Sequence, residues 1–344
     1  MSWQHYCYLL SKPLIRIIDP ELAHDLSLNI LSKFSKPSPP PEQSPLSKNG
    51  VVFRNRIGLA AGFDKDGKYV DLLSSMGFGF IEIGTVTPKP QHGHSRPRLF
   101  RSFSEKAIVN RMGFNNHGID SMVLNLKNCT TYRRMGGIIG VNVGKNAATP
   151  IGSSYSDYIT CIDKIYALCD YITINISSPN TPLLRSMQEY EELGKLLPKI
   201  KLKQLEMKQK TKIHTPIFIK FSPDLSITGI EGICELLVKE EIEGIILTNT
   251  TVERNIRNKK LQEESGGLSG APLKNKADKT LEEFNKYLNN KDMTIVGVGG
   301  ICSSQDAQDK FNMGANLVQI YSGIIFEGPD LVRRCINSTT PLRG

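Results

Sequence analysis

The chain has 344 residues, 39% hydrophobic and 22% charged, with 29 Gly, 19 Pro and one Trp. This is globular composition with length for a sizeable core, and it excludes a disordered chain, a collagen and a coiled coil. The net charge of +9 suits an anionic ligand, a nucleic acid or an acidic membrane surface without choosing among them, and seven cysteines with no CxxC pair argue against a disulfide framework or zinc site and for a reducing cytosol.

Trp3, Tyr6, Cys7, Leu10 and Leu14 recur at helical spacing, and Leu22, Leu26, Ile30 and Phe34 repeat every four residues. Both patterns predict amphipathic helices. Asp19-Pro20-Glu21 supplies an N-cap, a first-turn proline and an acidic first turn for the second. No apolar stretch approaches the ~20 residues that span a bilayer, and no basic leader precedes the first helix, so neither spanning nor secretion is expected. Such helices ordinarily pad a core through their apolar face; the competing expectation is a separate, mobile apolar surface over residues 1–36. Lys36 to Pro45 then holds five of the 19 prolines, which predicts a stiff linker over 37–50 and a main domain over 51–344.

From residue 56 on, β-branched apolar runs alternate with longer helical stretches. Eight runs read as strands buried on both faces: 57–61, 80–85, 137–143, 171–176, 217–221, 245–249, 294–298 and 317–321. The predicted fold is α/β, a (β/α)8 TIM barrel with a small N-terminal helical extension. Each run ends in residues unsuited to a core, among them Asp64, Lys65, Thr85, Asn142, Asn175, Lys220, Thr248, Asn249 and Gly300, so all converge on the C-terminal rim where barrels hold their sites. The long connections 86–136 and 250–293 are expected to build substrate walls there. The six lysines between Lys199 and Lys212 lack interleaved aromatics and read as a solvated helix face, not a nucleic-acid patch.

Gly297-Val298-Gly299-Gly300 and Tyr321-Ser322-Gly323 close strands seven and eight, where barrels bind phosphate through backbone N–H groups. Lys220 and Lys65 would place two ammonium groups in one pocket, which calls for an anion or electron-rich ring; Asp64 could pair with Lys65, and no acidic residue lies within the motif around Lys220. Asn175 through Thr181, with Asn110, Asn142 and Asn249, offers groups that both donate and accept, suited to a planar ligand with amide-like edges. No P-loop, HExxH, GxSxG or strand-end His appears, which argues against triad or metal hydrolysis. His92-Gly93-His94 reads as an exposed loop, and no metal is expected.

Leu59 to Lys65, Asn110 to Asn116, Asn175 to Asn180 and Gly266 to Gly270, in that order, resemble the dihydroorotate dehydrogenase family. The N-terminal extension with Asp19 to His24 resembles its quinone-dependent, membrane-associated class 2; Phe63, where many relatives have Leu, is a mild departure. The resemblance implies oxidation of dihydroorotate to orotate for pyrimidine biosynthesis, with FMN accepting the hydride and a quinone the electrons. It implies FMN contacts from Ala61, Gly62, Lys65, Thr85, Asn142, Asn175, Lys220, Thr248, Gly270, Gly300, Tyr321 and Ser322. Substrate would meet Lys65, Asn110, Arg111, Met112, Gly113, Phe114, Asn175, Asn180, Asn249 and Thr250, with Ser178 as catalytic base and Thr181 or water as a relay. Class 1 members carry Cys at that base position. His24, Arg101 and Tyr321 would line a quinone route between the helices and the flavin. A peripheral monomer on the cytoplasmic face of the cell membrane is the implied state. The alternatives are a soluble class 1-like enzyme using fumarate or a nicotinamide partner, and a non-catalytic flavin- or phosphate-binding barrel.

Overall fold

The structure, a computed structural model, describes residues 3–339. Thirteen strands are found: β1 Leu46–Lys48, β2 Val51–Phe53, β3 Ile57–Leu59, β4 Phe80–Val86, β5 Leu99–Ser102, β6 Ala107–Asn110, β7 Ile138–Val143, β8 Tyr171–Asn175, β9 Ile217–Phe221, β10 Gly244–Leu247, β11 Gly267–Gly270, β12 Thr294–Val298 and β13 Leu317–Ile320. Eight of them close a parallel barrel in the order β3, β4, β7, β8, β9, β10, β12, β13. These are the eight runs read from the sequence, and β9 and β12 match residue for residue. Continuous apolar composition is what lets such strands face the lumen on one side and the outer helices on the other.

The N-terminal end of the lumen is filled by an aromatic layer. Phe80, Tyr171 and Phe218 stand in register with Gly58, Gly140 and Gly244 of the neighbouring strands. A Cβ on any of these glycines would come within 2.6 Å of the ring beside it, so glycine is what admits the ring. Tyr171 stacks on Phe218 with ring centroids 4.9 Å apart. Phe53 closes the floor from the β1–β2 hairpin, edge-on to Phe80 at 5.3 Å. The segment expected as a linker is therefore not uniform: its last residues, Leu46–Lys48, are a hairpin strand. Its prolines lie along the barrel, the Pro41 carbonyl accepting from Asn55 Nδ2 at 3.0 Å.

The two long connections meet in a sheet that the sequence pattern did not reveal, with β6 antiparallel between β5 and β11. It brings Asn110, Ser269 and Gly270 to the rim.

Helices α1 (Trp3–Ile17) and α2 (Pro20–Ser32) form as predicted, with the Asp19 carboxylate accepting the Glu21 and Leu22 N–H groups at 3.0 Å. Their orientation corrects the expectation of core padding. Trp3, Tyr6, Leu10, Leu14, Leu22, Leu26, Ile30 and Phe34 are all exposed, as is Cys7. The side that meets the barrel is mixed: Ala23 and Leu28 of α2 are buried, Leu28 within the main core, and polar groups supply the other contacts. Gln4 donates to Ser75 Oγ at 2.9 Å, and Tyr8 and Lys12 donate to the Phe326 carbonyl at 2.6 and 3.2 Å. Glu21 accepts from Arg98 at 2.6 Å and Arg96 at 2.9 Å. Among the described residues no helix is long and apolar enough to cross a membrane.

Candidate active site

At the C-terminal ends of the barrel strands lies a cavity of about 1050 Å³, counted to its open mouth. Its walls include Ala61, Gly62, Lys65, Thr85, Asn110, Met112, Gly113, Phe114, Asn175, Ser178, Asn180, Lys220, Thr248, Asn249, Thr250, Gly270, Gly300, Tyr321 and Ser322. Four expected residues stand elsewhere. Asn142 lies behind the wall, buried, and reaches the cavity through Thr85 and Asn175. Arg111 turns away onto Glu264 at 2.5 Å and over the Phe100 ring. Arg101 holds the end of α1 through the Ile15 and Ile18 carbonyls. His24 sits one ring removed: its Nε2 is 2.9 Å from the Phe63 carbonyl, its ring meets Phe63 edge-on, and Phe63 meets Tyr321 in turn.

The electrostatics follow from burial. Lys220 and Lys65 are both enclosed, and desolvation lowers the pKa of each. Glu82 opposes that shift at Lys220; Glu21, Asp25 and Asp66 oppose it at Lys65. The expected Asp64–Lys65 pair is not made. The Asp64 carboxylate accepts the N–H groups of Lys68 and Tyr69 at 3.0 and 2.7 Å, and burial raises it to about 6. Burial, with the Lys65 charge, lowers His24 to about 4, so its imidazole is neutral at physiological pH.

Polar groups around the reacting end are mutually oriented. Ser178 Oγ is buried and accepts from the Asn180 N–H at 3.2 Å. Asn180 donates to Asn110 Oδ1 at 3.1 Å, and Asn249 to Ser177 Oγ at 3.0 Å. The Thr181 hydroxyl is buried with no hydrogen-bond partner. At the opposite end, Gly299 and Gly300 have φ of +107° and +78°, and a Cβ on Gly300 would lie 2.4 Å from the Lys274 Cα. Only glycine gives that backbone concavity, which leaves main-chain N–H groups available to an anion. Ser269 and Ser322 hydroxyls, 2.9 Å apart, stand beside it. A mononucleotide-sized ligand with a phosphate and a planar, electron-accepting ring fits this donor set: an N–H cradle at one end and a buried ammonium midway. Gln319 lines the cavity although motif reading passed over it, as does Ser269, quoted in the Gly266 to Gly270 block but given no role; Glu82, also passed over, lies beneath the cavity and accepts from Gln319. Lone polar residues in apolar strands are the signal that could have marked Gln319 and Glu82.

Fold and site together define the class: a (β/α)8-barrel protein with a polar, glycine-rimmed cavity at the C-terminal ends of its strands. The dihydroorotate dehydrogenase family model matches residues 47–340, and the chain belongs to that family. It is 45% identical to the dihydroorotate dehydrogenase (quinone) of Acinetobacter baylyi over 97% of this chain and 99% of that protein. Against the enzyme of the same name from Shewanella denitrificans it is 46% identical, over 96% and 98%. The crystal structure of an Eimeria tenella DHODH in complex with ferulenol superposes with a TM-score of 0.88 at 31% identity, covering 95% of this chain and 93% of that one.

Proposed function

We propose that the protein oxidises (S)-dihydroorotate to orotate in pyrimidine biosynthesis, with FMN in the rim cavity and a quinone as terminal electron acceptor. The observation that carries this reading is the convergence of a buried serine hydroxyl, an asparagine set, the buried Lys220 and the half-buried Lys65 on one cavity beside a glycine cradle. Gly299, Gly300, Ser269 and Ser322 would hold the phosphate, and Thr85, Thr248 and Lys220 the ring. Bound there, FMN would supply the two-electron redox chemistry that links oxidation of the substrate to reduction of the quinone.

The chain's own residues do the rest. Lys65 supplies the positive charge for the substrate carboxylate, and Asn110, Asn180 and Asn249 pair its amide edges. Ser178 removes the C5 proton as the C6 hydride leaves. An alcohol is a weak base, so its position and proton outlet matter more than its pKa. The Asn180 N–H fixes its oxygen, and the unpartnered Thr181 hydroxyl, three residues on, offers the outlet. Lys220 stabilises negative charge gained by the ring in a desolvated site.

For the second half-reaction, the outward apolar face of α1 and α2 lies in a bilayer surface at the cytoplasmic side, as an interfacial helix pair does. The aromatic contact from His24 through Phe63 to Tyr321 borders the path by which an apolar quinone reaches the cavity from there. The protein acts as a peripheral monomer. Anaerobic dihydroorotate should bleach the flavin of the purified protein, and a quinone should restore the colour where fumarate and NAD do not. Absence of bleaching overturns the reading; recovery with fumarate alone replaces it with the soluble, class 1-like one.

A further inference from the structure

Beneath the cavity, inside the barrel, the β4 residue Glu82 is fully buried. Its Oε1 accepts from Asn142 Nδ2 at 2.8 Å; its Oε2 accepts from Gln319 Nε2 at 2.7 Å and the Tyr171 hydroxyl at 3.0 Å. A carboxylate has no proton to give, so every amide beside it must turn its NH2 group inward and its carbonyl away.

That constraint propagates. Asn142 Oδ1 is thereby aimed at the rim, where it accepts from Thr85 Oγ1 at 2.5 Å and Asn175 Nδ2 at 3.1 Å. Asn175, its NH2 so engaged, presents Oδ1 to the Ser177 N–H and hydroxyl, and Asn249 Nδ2 closes the chain on the Ser177 oxygen. Gln319 likewise leaves its Oε1 buried with no partner, on a residue that lines the cavity. With a neutral amide in place of Glu82, this direction of donors and acceptors would lose its origin. Lys220 stands in register with Asn175, no ion pair engages it among the described residues, and the Glu82 charge acts on it through the barrel interior.

We propose that Glu82 is a positioning residue: it fixes the donor–acceptor direction of the asparagine array and, as counter-charge to Lys220, holds down the reduction potential of the bound flavin. This rests on the flavin reading of the cavity. In Glu82→Gln, the midpoint potential of the protein-bound flavin should move to more positive values, because a negative charge that opposes reduction is gone. Orotate, titrated by the flavin absorbance shift, should bind about tenfold more weakly, since a mis-turned buried amide leaves groups unpaired. Tyr171→Phe keeps the ring and removes one donor from the carboxylate. The less screened charge should move the potential the opposite way, to more negative values. Glu82→Gln with wild-type potential and orotate affinity, or Tyr171→Phe with an unchanged or more positive potential, overturns the inference. The Tyr171→Phe measurement decides alone if Glu82→Gln does not fold. Bleaching of the wild-type flavin by dihydroorotate tests the underlying reading separately, so its failure is distinguishable from failure of the role of Glu82.

Discussion

The barrel and the helical pair before it bury opposite sides of themselves. Barrel strands and their helices turn Ile, Val, Leu and Phe inward and keep polar groups for the rim. In the N-terminal segment, hydrogen bonds, ion pairs and the buried Ala23 and Leu28 face the protein while ten large apolar side chains, from Trp3 to Phe34, face out. Leu10 and Ile17 are 83% and 84% exposed. Burial of apolar area holds the barrel, whereas directional polar contacts, with Leu28 as an apolar anchor in the core, hold the pair. The second arrangement leaves a greasy surface free for another medium, at the cost of dependence on a few charged groups.

The largest break in this comparison should come from Glu21. Removing it in Glu21→Ala leaves the buried Arg98 guanidinium without its carboxylate, which should weaken the seating of α2 by about 3 kcal/mol while the barrel stays folded. Hydrogen exchange faster in α1 and α2 than in the strands is the measurement. On the barrel side, Ser178→Ala should lower kcat by about 100-fold or more, with flavin and orotate binding retained. Near-normal turnover would remove Ser178 from the mechanism.

Acid should separate the two regions in the same sense as Glu21→Ala. Burial raises Glu21, yet the Arg98 and Arg96 contacts outweigh it and hold the carboxyl below its ordinary value, so that stabilisation is lost as pH falls through the lowered value. His24 sits at about 4 when docked against 6.5 when free, so the undocked form alone takes up a proton between those values. Limited proteolysis should therefore cut near α2 sooner at pH 5 than at pH 7.5, with the barrel fragment intact. A flat profile would contradict the buried placement of His24. Asn249→Ala should raise KM for dihydroorotate about tenfold by leaving a substrate polar group unpaired. The smallest effect on stability belongs to Leu10→Glu with Ile17→Glu: within about 0.5 kcal/mol by thermal melting, because neither side chain packs on anything, but with binding to liposomes and turnover with a membrane-embedded quinone lost.

The barrel was legible because a strand buried on both faces has a one-dimensional signature, and Ile217–Phe221 and Thr294–Val298 carry it without interruption. The rim was legible because Asn, Lys and Gly recur where apolar runs stop. The sheet of β5, β6 and β11 escaped because its strands are four residues each and because β11 joins the local β5–β6 pair from some 160 positions away in sequence. Both helices were read from their period, but periodicity says that a face is apolar, not which way it points. Only the partners Ser75, Phe326 and Arg98, distant in sequence, settle that orientation. Glu82 looked like an ordinary strand residue because its partners lie on β7, β8 and β13.

The glycine–aromatic floor has a consequence for how this chain can change. Tyr171 belongs to two assemblies at once: its ring is a floor tile against Gly140 and Phe218, and its hydroxyl sets the screening of Glu82. A substitution as small as Gly140→Ala, made at the end of the barrel away from the cavity, must displace that ring and with it the hydroxyl. Repacking the floor and orienting the polar array above it are thus one problem in this protein, and a variant selected for a sturdier base will arrive with a disturbed Glu82 network.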